Sequence, residues 1–277
     1  MDKIKQKPTI GVVAISYNEE EDMPHFLQNL IAWVDEIIIV DDGSTDKTVE
    51  IIKSAGNKVK LIKRKMGPEK GFAAQRNIGL KAAESDWILH MDIDERVTPE
   101  LAKEIKQAIL SSRYNAFRYK RLNFFLHRLM KAGNWNDWNN PQLARKGKHH
   151  FEGKIHERCI IKDAPRSVGQ LKNKMWHLND SSYLERMEKS FKYCQEVAER
   201  IKSKGIKVKW YYLLLGPLKE FVSNFILKKG FIDGIAGLLA AIHSACATFR
   251  SYALIWDEQN KKDRANIEKE LKDKWKR

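Results

Sequence analysis

Short β-branched runs alternate with helical segments through residues 9–110, and this alternation constrains the fold more than any other feature of the sequence. The predicted strands are "TIGVVAISY" (9–17), "EIIIV" (36–40), "VKLIK" (59–63) and "WILHM" (87–91). Apolar residues recur at helical spacing between them, and Thr98 and Pro99 are suited to open a further helix. Strands that alternate with helices form a doubly wound, mainly parallel sheet. We therefore predict an α/β fold for this half of the chain.

Acidic side chains follow three of the four predicted strands. The segments after the strands are "SYNEEED", "DDGSTD", "RKMGPEKG" and "DIDE". Because ligands bind outside the carboxyl ends of parallel strands, these segments are expected to meet at one crevice. Acids clustered there are typical of a metal or ribose site, although a solvated rim has the same composition.

Asp92 and Asp94 form the most specific of these patterns. Residues i and i+2 of an extended strand point to the same side, so both carboxylates can face one ligand. Such oxygen ligands suit Mg²⁺ or Mn²⁺, with the diphosphate of a nucleotide completing the coordination. The alternative is that these acids only end a strand and lead into the helix at Thr98.

The "DDGSTD" segment predicts a second contact with a nucleotide. Gly43 allows a sharp turn after the strand, and Asp41 and Asp42 can accept hydrogen bonds from a base or ribose. Ser44 or Thr45 is expected to cap the next helix. An ordinary turn into a helix is the alternative.

Beyond residue 110 the sequence changes in pattern and charge. Residues 1–110 hold 16 basic and 19 acidic residues, whereas the remainder holds 35 and 17. Residues 111–180 are expected to add strands and loops that cover the crevice. From Ser182 the pattern is helical, with a second helical region over 208–256. We predict a first domain at 1–180 and a basic helical region at 181–277.

The basic half indicates an anionic partner. Aromatic residues and leucines lie among lysines over 208–256, which is typical of an interfacial helix on an anionic membrane, although a helix packed on the first domain would share the pattern. Nucleic acid is not expected, since no motif for it is present and the acidic crevice would repel phosphates. The apolar stretch from Ile235 to Phe249, interrupted by His243, is too short to span a bilayer comfortably.

The cysteines and the N-terminus bear on location. Cys159, Cys194 and Cys246 are far apart and follow no paired spacing, as expected for reduced cysteines of an intracellular protein. "MDKIKQKPTI" lacks the apolar segment of a secretory signal. We expect a cytoplasmic protein, peripheral on the inner face of the cytoplasmic membrane.

Taken in order, these motifs resemble family 2 of the inverting glycosyltransferases. The resemblance rests on "ISYNEEED" (15–22), "VDDGSTDKT" (40–48), "KGFAAQRNIGLKAA" (70–83) and "HMDIDE" (90–95). Two further segments are similar to the lipopolysaccharide-core β-glucosyltransferase subgroup: "NNPQLARKGKHHFEGKIHE" (139–157) and "KKGFIDGIAGLLAA" (228–241). The resemblance implies a Rossmann-like, nucleotide-diphospho-sugar-binding (GT-A) fold with a helical C-terminal extension. Its nucleotide-binding half would be 8–110 and its acceptor half 111–180.

The resemblance also implies a donor site. Asp41 and Asp42 would hold uracil and ribose, Asp92 would touch ribose and sugar, and Asp94 with Asp92 would bind Mg²⁺ or Mn²⁺. In the third motif either Arg76 or the Lys70–Gly71 turn would face base or phosphate. The full set of donor-binding residues implied is Ser16, Asn18, Glu19, Asp41, Asp42, Arg76 and Asp92.

Inverting transfer is a single displacement that needs positive charge at the leaving diphosphate and a base at the acceptor hydroxyl. Because this class generally uses a carboxylate, Glu157 is the expected base, with His156 positioning the acceptor or a phosphate. A salt bridge between Glu157 and Arg158 is the structural alternative. Asp137 and Asp163 are the other candidate bases.

The expected reaction is sugar transfer, by the resemblance glucose from UDP-glucose, to a lipopolysaccharide-core or other lipid-linked acceptor. One alternative is a sugar-phosphate nucleotidyltransferase, but its Gly-rich, basic loop is missing after the first strand. The other is a non-catalytic binding protein tethered to membranes. Trp135 and Trp138 either stack on sugar rings or belong to the core.

Overall fold

The computed structural model of the chain describes residues 7–67, 71–110, 113–136, 138–153 and 157–275. The chain forms two compact units. The first comprises Met1–Phe124 and Asn136–Asn179, and the second Phe125–Trp135 and Asp180–Arg277. The predicted division at 180/181 lies next to this one, although it did not anticipate that Phe125–Trp135 joins the second unit. Independent domains stay a prediction.

From residue 10 to 177 the chain alternates strands and helices and then continues mainly as strands. In chain order the elements are β1 (Ile10–Ser16), α1 (Met23–Ile31), β2 (Glu36–Asp41), α2 (Thr48–Ser54), β3 (Val59–Lys63), α3 (Gly71–Ala82), β4 (Trp87–His90), β5 (Glu95–Arg96), α4 (Pro99–Leu110), β6 (Ala116–Phe125), β7 (Arg128–Leu129), a 3₁₀ turn (Gly133–Asn136), β8 (Asn139–Arg145), β9 (His149–Glu152), β10 (Arg158–Ile161), β11 (Val168–Gln170) and β12 (Met175–His177).

The main sheet has the order β3-β2-β1-β4-β8-β6-β12-β5. Strands β3, β2, β1 and β4 are parallel, as predicted. Strand β8 then pairs antiparallel with both β4 and β6, so antiparallel pairings join a mainly parallel sheet. The reason is that no helical crossover separates β6 from β8, and an antiparallel neighbour needs only a short connection. The predicted α/β fold is confirmed.

Burial on both faces explains why β1 and β2 are nearly continuous apolar runs. Ile37, Ile38 and Ile39 are all fully buried, although they point alternately to opposite faces. One face packs on α1 and α4 and the other on α3. Helix α3 comes close to the sheet at Gly79, where a Cβ atom would lie 2.4 Å from Val13 Cγ1. This close approach fixes the position of α3 over the strand ends.

The second unit is helical, as predicted. After Asp180 it contains α5 (Tyr183–Lys202), α6 (Trp210–Phe221), a π-helical turn (Val222–Leu227), a 3₁₀ turn (Gly230–Asp233), α7 (Gly234–Asn260) and α8 (Arg264–Trp275). The predicted region 208–256 is therefore two helices with a break between them. Gly230 and Gly237 meet at this break, and a Cβ atom on Gly237 would lie 1.9 Å from the Gly230 carbonyl oxygen.

One helical segment among the described residues, Gly230–Asn260, is long and apolar enough to cross a membrane, with a mean hydropathy of 1.5. The sequence analysis predicted that this stretch is too short to span a bilayer, because it placed the end of the apolar run at Phe249. Length and composition alone are weak support for a span, since core helices also meet them. All three cysteines are free thiols, as expected.

Candidate active site

The first two loops of the crevice are joined by Asp41, at the end of β2. Ser16 lies opposite it in register at the end of β1 and donates from Oγ to Asp41 Oδ1 at 3.0 Å. The amides of Gly43 and Ser44 and the Ser44 hydroxyl also donate to this carboxylate. Ser16 and Asp41 are both buried. Their side chains therefore support the loop from within, and a direct contact with uracil or ribose is better suited to Asp42.

Asn18 and Glu19 connect the loop after β1 to the loop after β2. Asn18 adopts a left-handed φ of 54°, and its Oδ1 accepts from the Thr45 amide at 2.8 Å. The Glu19 amide donates to Thr48 Oγ1 at 2.7 Å. Helix α2 begins at Thr48, and neither Ser44 nor Thr45 caps it, so that prediction is wrong. Ser44 is used by Asp41 instead.

Asp42 is half-buried and faces the third loop. Its Oδ1 accepts from the Met66 amide and, at 3.4 Å, from Gln75 Nε2. Gln75 lies on α3 and also donates to the Arg64 carbonyl at 2.7 Å. The loops after β1, β2 and β3 thus form one hydrogen-bonded rim, as the topology of a parallel sheet requires.

Arg76 brings the predicted donor site and the predicted base together. It is buried on α3, and its Nη2 lies 2.6 Å from Asp92 Oδ1 while its Nε lies 3.1 Å from Glu157 Oε1. Burial lowers the pKa of Arg76, but the two carboxylates outweigh burial and raise it. The salt bridge considered from sequence joins Glu157 to Arg76, rather than to its neighbour Arg158.

A second arginine, which the sequence analysis missed, also holds Asp92 and pairs with Glu95. Arg121 on β6 lies 2.8 Å from Asp92 Oδ2 and 2.5 Å from Glu95 Oε1. Its guanidinium carbon is 3.9 Å from the centre of the Trp138 ring. Trp138 also packs on Tyr119 in the core, so the core alternative for this tryptophan fits the structure.

The pKa values of the two acids beside Arg121 shift in opposite directions: that of Asp92 is lowered and that of Glu95 is raised. Burial raises the pKa of Asp92, but Arg76 and Arg121 outweigh it and hold that pKa well below its ordinary value. Glu95 is fully buried, which raises its pKa to about 7 against the opposing effect of Arg121. Asp92 is therefore a permanent anion balanced by two guanidinium groups.

Asp94 is the acid of this group that faces a histidine. Its Oδ2 lies 3.2 Å from His177 Nε2, and the other ring nitrogen of His177 contacts Asn123 Oδ1 at 2.7 Å. Because an amide oxygen only accepts, His177 Nδ1 carries the proton and Nε2 faces Asp94. Burial lowers the pKa of His177, but the hydrogen bond and charge of Asp94 raise it overall.

A metal ion fits this position. Asp92, Asp94 and His177 offer ligand atoms within 4.8 Å of one another. Two oxygens and an imidazole orientated by an amide form a donor set that Mn²⁺ or Mg²⁺ accepts. The strand geometry predicted for the two acids is wrong, since β4 ends at His90 and the chain turns through a bond from Glu95 N to Asp92 O. The turn, and not an extended strand, brings the acids together.

Several predicted residues lie elsewhere. His156 and Asp137 are outside the described residues. Asp163 is exposed in the turn after β10. Trp135 belongs to the second unit, where it packs on Phe125 and lies 5.2 Å from the guanidinium of Arg186. Its surroundings fit a core role rather than sugar stacking.

Of the residues that the sequence analysis missed, Arg121 could have been recognised from the sequence, whereas His177 could not. In β6 the inward positions are Phe117, Tyr119, Arg121, Asn123 and Phe125. An arginine and an asparagine on the apolar side of a strand are a readable sign of a buried polar site. His177 carried no such sign, because its role depends on the register that sets it beside Asn123.

A buried histidine pair lies beneath the acidic turn. His90 Nε2 and His149 Nε2 are 2.9 Å apart, and His149 Nδ1 is 3.1 Å from the Arg145 carbonyl oxygen. A carbonyl only accepts, so His149 is protonated at Nδ1 and accepts at Nε2 from His90. Burial lowers the pKa of His149 to about 4. The pair is therefore neutral at pH 7.

A sheet of this topology places acids at the carboxyl ends of its parallel strands, where ligands of such sheets bind. Residues 11–162 match the model of glycosyl transferase family 2, and the chain belongs to that family. The family membership and the GT-A fold predicted from the sequence are confirmed.

Relatives extend this similarity over most of the chain. The lipopolysaccharide core biosynthesis glycosyltransferase LpsC of Rhizobium meliloti is 24% identical over 96% of this chain and 98% of its own length. An uncharacterized glycosyltransferase of Rickettsia typhi is 27% identical over 87% of this chain and 84% of its own.

Two solved structures are also similar. TarS 1–349 of S. aureus in complex with UDP-GlcNAc has a TM-score of 0.48 and 15% identity over 91% of each chain. Glucosyl-3-phosphoglycerate synthase of Mycobacterium tuberculosis, in complex with Mn²⁺, UDP and glucosyl-3-phosphoglycerate, has a TM-score of 0.48 and 16% identity, covering 73% of this chain and 82% of its own.

Proposed function

We propose that this family 2 glycosyltransferase transfers a sugar, with inversion, from a nucleotide-diphospho-sugar to a lipopolysaccharide-core or other lipid-linked acceptor. The observation that carries the proposal is the network in which Arg76 joins Asp92 to Glu157 beside the Asp94–His177 pair. It brings groups suited to donor binding and acceptor activation into one crevice. UDP-glucose is the proposed donor.

In this mechanism the rim formed by the first three loops binds the nucleoside, with Asp42 facing base or ribose. Asp92, held by two arginines, orients the ribose and sugar. Asp94 and His177, with Asp92 beside them, would hold Mg²⁺ or Mn²⁺. When bound, the cation supplies positive charge to the leaving diphosphate.

Glu157 is the proposed base, and Arg76 is the residue that positions it. In the inverting step the Glu157 carboxylate accepts the acceptor hydroxyl proton as the hydroxyl oxygen attacks the anomeric carbon and the diphosphate leaves. Arg76 fixes Glu157 Oε1 at 3.1 Å, which leaves the second carboxylate oxygen to face the acceptor. His156, which directly precedes Glu157 in the chain, is proposed to position the acceptor.

Because the proposed acceptor is linked to lipid, we propose that the enzyme acts at a membrane. Similarity to LpsC supports a lipopolysaccharide-core acceptor, and the exposed basic second half supports an anionic membrane surface as partner. We place the protein in the cytoplasm, peripheral on the inner face of the cytoplasmic membrane. No nucleic acid takes part.

Thermal unfolding with UDP, GDP, dTDP or CMP, each with Mn²⁺ and then with EDTA, tests the donor site. A ligand that binds only the folded state raises the melting temperature by mass action. We expect an increase with UDP that EDTA abolishes. No increase with any nucleotide would contradict the donor site and favour a non-catalytic binding protein.

Turnover of UDP-glucose by Asp94→Asn tests the metal site. We expect a loss of about 100-fold or more, because an electrostatic contact to the leaving group is removed. Glu84→Gln, an exposed acid outside the crevice, is the matched control and should retain activity. Full activity of Asp94→Asn would overturn the role assigned to Asp94.

A separate assay tests the alternative reaction. Release of pyrophosphate from a nucleoside triphosphate and a sugar phosphate would indicate a nucleotidyltransferase.

A further inference from the structure

Helix α7 has two faces, and both carry apolar residues, although the packed face also holds His243 and Arg250. The packed face carries small residues and Ile255, with Gly237, Ala240, Ala241 and Ser251 all buried. The opposite face follows an i, i+3, i+4, i+7 spacing, which places its residues on one side of a helix. These exposed residues, the outer face of α7, are Ile235, Leu238, Leu239, Ile242, Phe249 and Trp256.

The outer face of α7 is long and continuous. From residue 235 to 256 it extends about 32 Å at a rise of ~1.5 Å per residue. Ile235 is 78% exposed, and its five companions are between 37% and 46% exposed. Scattered exposed apolar residues are ordinary, but a contiguous stripe of this length marks an interaction surface.

The chain just before α7 continues this surface. Leu227, Phe231 and Ile232 are each more than half exposed, and Lys228 and Lys229 lie among them. At the other end of the helix the exposed charges are mixed, since Lys261, Lys262 and Arg264 lie among Asp257, Glu258 and Asp263. The apolar stripe is therefore basic at its start, where long basic side chains reach lipid phosphates while their stems stay on apolar surface.

Polar groups on the packed face disfavour a bilayer crossing by α7 on its own. Arg250 donates from Nη2 to Ser190 Oγ of α5 at 2.7 Å, and Cys194 Sγ of α5 lies 3.4 Å from the Ala247 carbonyl. A spanning helix at this position would carry Arg250, a buried His243 and the helix α5 into lipid. Such polar groups are costly within a hydrocarbon core.

We propose that the outer face of α7, with the Leu227–Ile232 segment, binds an anionic phospholipid bilayer with the helix axis parallel to the membrane plane. Lys228 and Lys229 at the start of the stripe select anionic lipid, and the packed face keeps the helix at the interface. This inference rests on the proposed membrane location and adds the binding face, its orientation and its lipid preference.

The native thiol of Cys246 lies exposed on this side of α7 and provides the probe. With Cys159→Ser and Cys194→Ser, a polarity-sensitive fluorophore on Cys246 is mixed with phosphatidylglycerol/phosphatidylcholine vesicles or with phosphatidylcholine vesicles. We expect a blue shift with the anionic vesicles only, and stronger quenching by shallow than by deep lipid-borne quenchers. No shift, or stronger quenching at the bilayer centre, would overturn the proposal.

Vesicle sedimentation of unlabelled variants tests the face itself. Leu239→Ser with Ile242→Ser should weaken binding about tenfold or more, since apolar area is lost from the contact. Leu110→Ser is the matched control, because Leu110 is 56% exposed on α4 of the first unit. Equal binding by the double variant and the control would reject the outer face of α7.

Two further results separate this proposal from its alternatives. Asp94→Asn should bind vesicles normally, so a failed donor site and a failed lipid site are distinguishable. Lys228→Glu with Lys229→Glu should reduce binding most at low salt. A lipid-free dimer that dissociates with Leu239→Ser and Ile242→Ser would instead make the face an interface between two copies and contradict the proposal.

Discussion

The crevice of the first unit and the outer face of α7 depart from ordinary burial in opposite directions. In the crevice, Arg76, Arg121 and Glu95 are charged or titratable groups taken out of water. On α7, isoleucines and leucines are held in water. Buried charge and exposed apolar surface both lower stability unless something compensates, so both mark function. In the crevice the charges compensate one another, whereas α7 needs an outside partner.

The largest effect on stability is expected from Arg121→Met in the crevice. Removing Arg121 takes the guanidinium away from Glu95 and leaves Asp92 paired with Arg76, and breaking a buried ion network in this way costs about 3–5 kcal/mol. Urea unfolding measures this. Arg118→Met, which removes an arginine from the opposite side of β6, should change little, and adding Glu95→Gln to Arg121→Met should restore part of the loss. An unchanged free energy of unfolding for Arg121→Met would mean that the charges of the network do not stabilise one another.

A smaller loss is expected from Gly237→Ala in the second unit. The added Cβ would meet the Gly230 carbonyl at 1.9 Å, and backbone cannot move aside as a flexible side chain does. Overpacking of this kind costs about 1–3 kcal/mol, more than alanine gains in a helix. Circular dichroism during urea unfolding measures the effect, with Gly67→Ala as control because no atom lies within 4 Å of its Cβ. An unchanged midpoint would contradict the packing at the break before α7.

Acid should destabilise the first unit through His149. Its pKa is lowered to about 4 in the folded protein, so below pH 6.5 the unfolded chain binds the proton more readily. The stability contributed by neutral His149 is therefore lost as pH falls from 6.5 toward 4, at about 1.4 kcal/mol per pH unit. Urea midpoints across this range should show a shallower slope for His149→Gln than for His150→Gln, an exposed neighbour. Equal slopes would contradict the neutral pair.

The smallest effect on stability is expected from Leu239→Ser on the outer face of α7. Its side chain contacts water, so the free energy of unfolding should change by less than about 0.5 kcal/mol. Unfolding without lipid measures this, and a loss above 1 kcal/mol, on the order of a core substitution, would mean that the residue packs within the protein. A large loss of stability for Arg121→Met and a small one for Leu239→Ser would together mean that the crevice is stabilised by contacts within the protein, whereas the outer face of α7 is not.

Local pattern was enough to predict the parallel strands, the helices between them and the crevice. "EIIIV" is a strand buried on both faces, and Asp92 was identified because its motif follows such a strand, whereas Arg76 was identified from the family resemblance. Contacts made across the chain were not predictable in this way. Arg121 and His177 reach the acids through the pairing of β6, β12 and β5, and the antiparallel β8 was not anticipated because the sequence beyond residue 110 has no clear strand or helix period.

Helix ends and two-faced helices were also hard to read. Ser44 has the composition of a cap, but Asp41 competes for its hydroxyl and the helix starts later. Helix α7 carries apolar residues on both sides, so its composition alone does not distinguish a core helix, an interfacial helix and a spanning helix. Knowledge of which side packs was needed.

The saturated carboxylate of Asp41 has a consequence for the thermodynamics of donor binding. Four donors already hold the loop after β2 before any nucleotide arrives. Little conformational entropy is then lost when a ligand reaches this side of the crevice, and preorganised sites bind with a smaller ordering cost. Calorimetry of nucleotide binding should accordingly report a heat-capacity change set by the surface that the nucleotide covers, without the additional term of a folding loop.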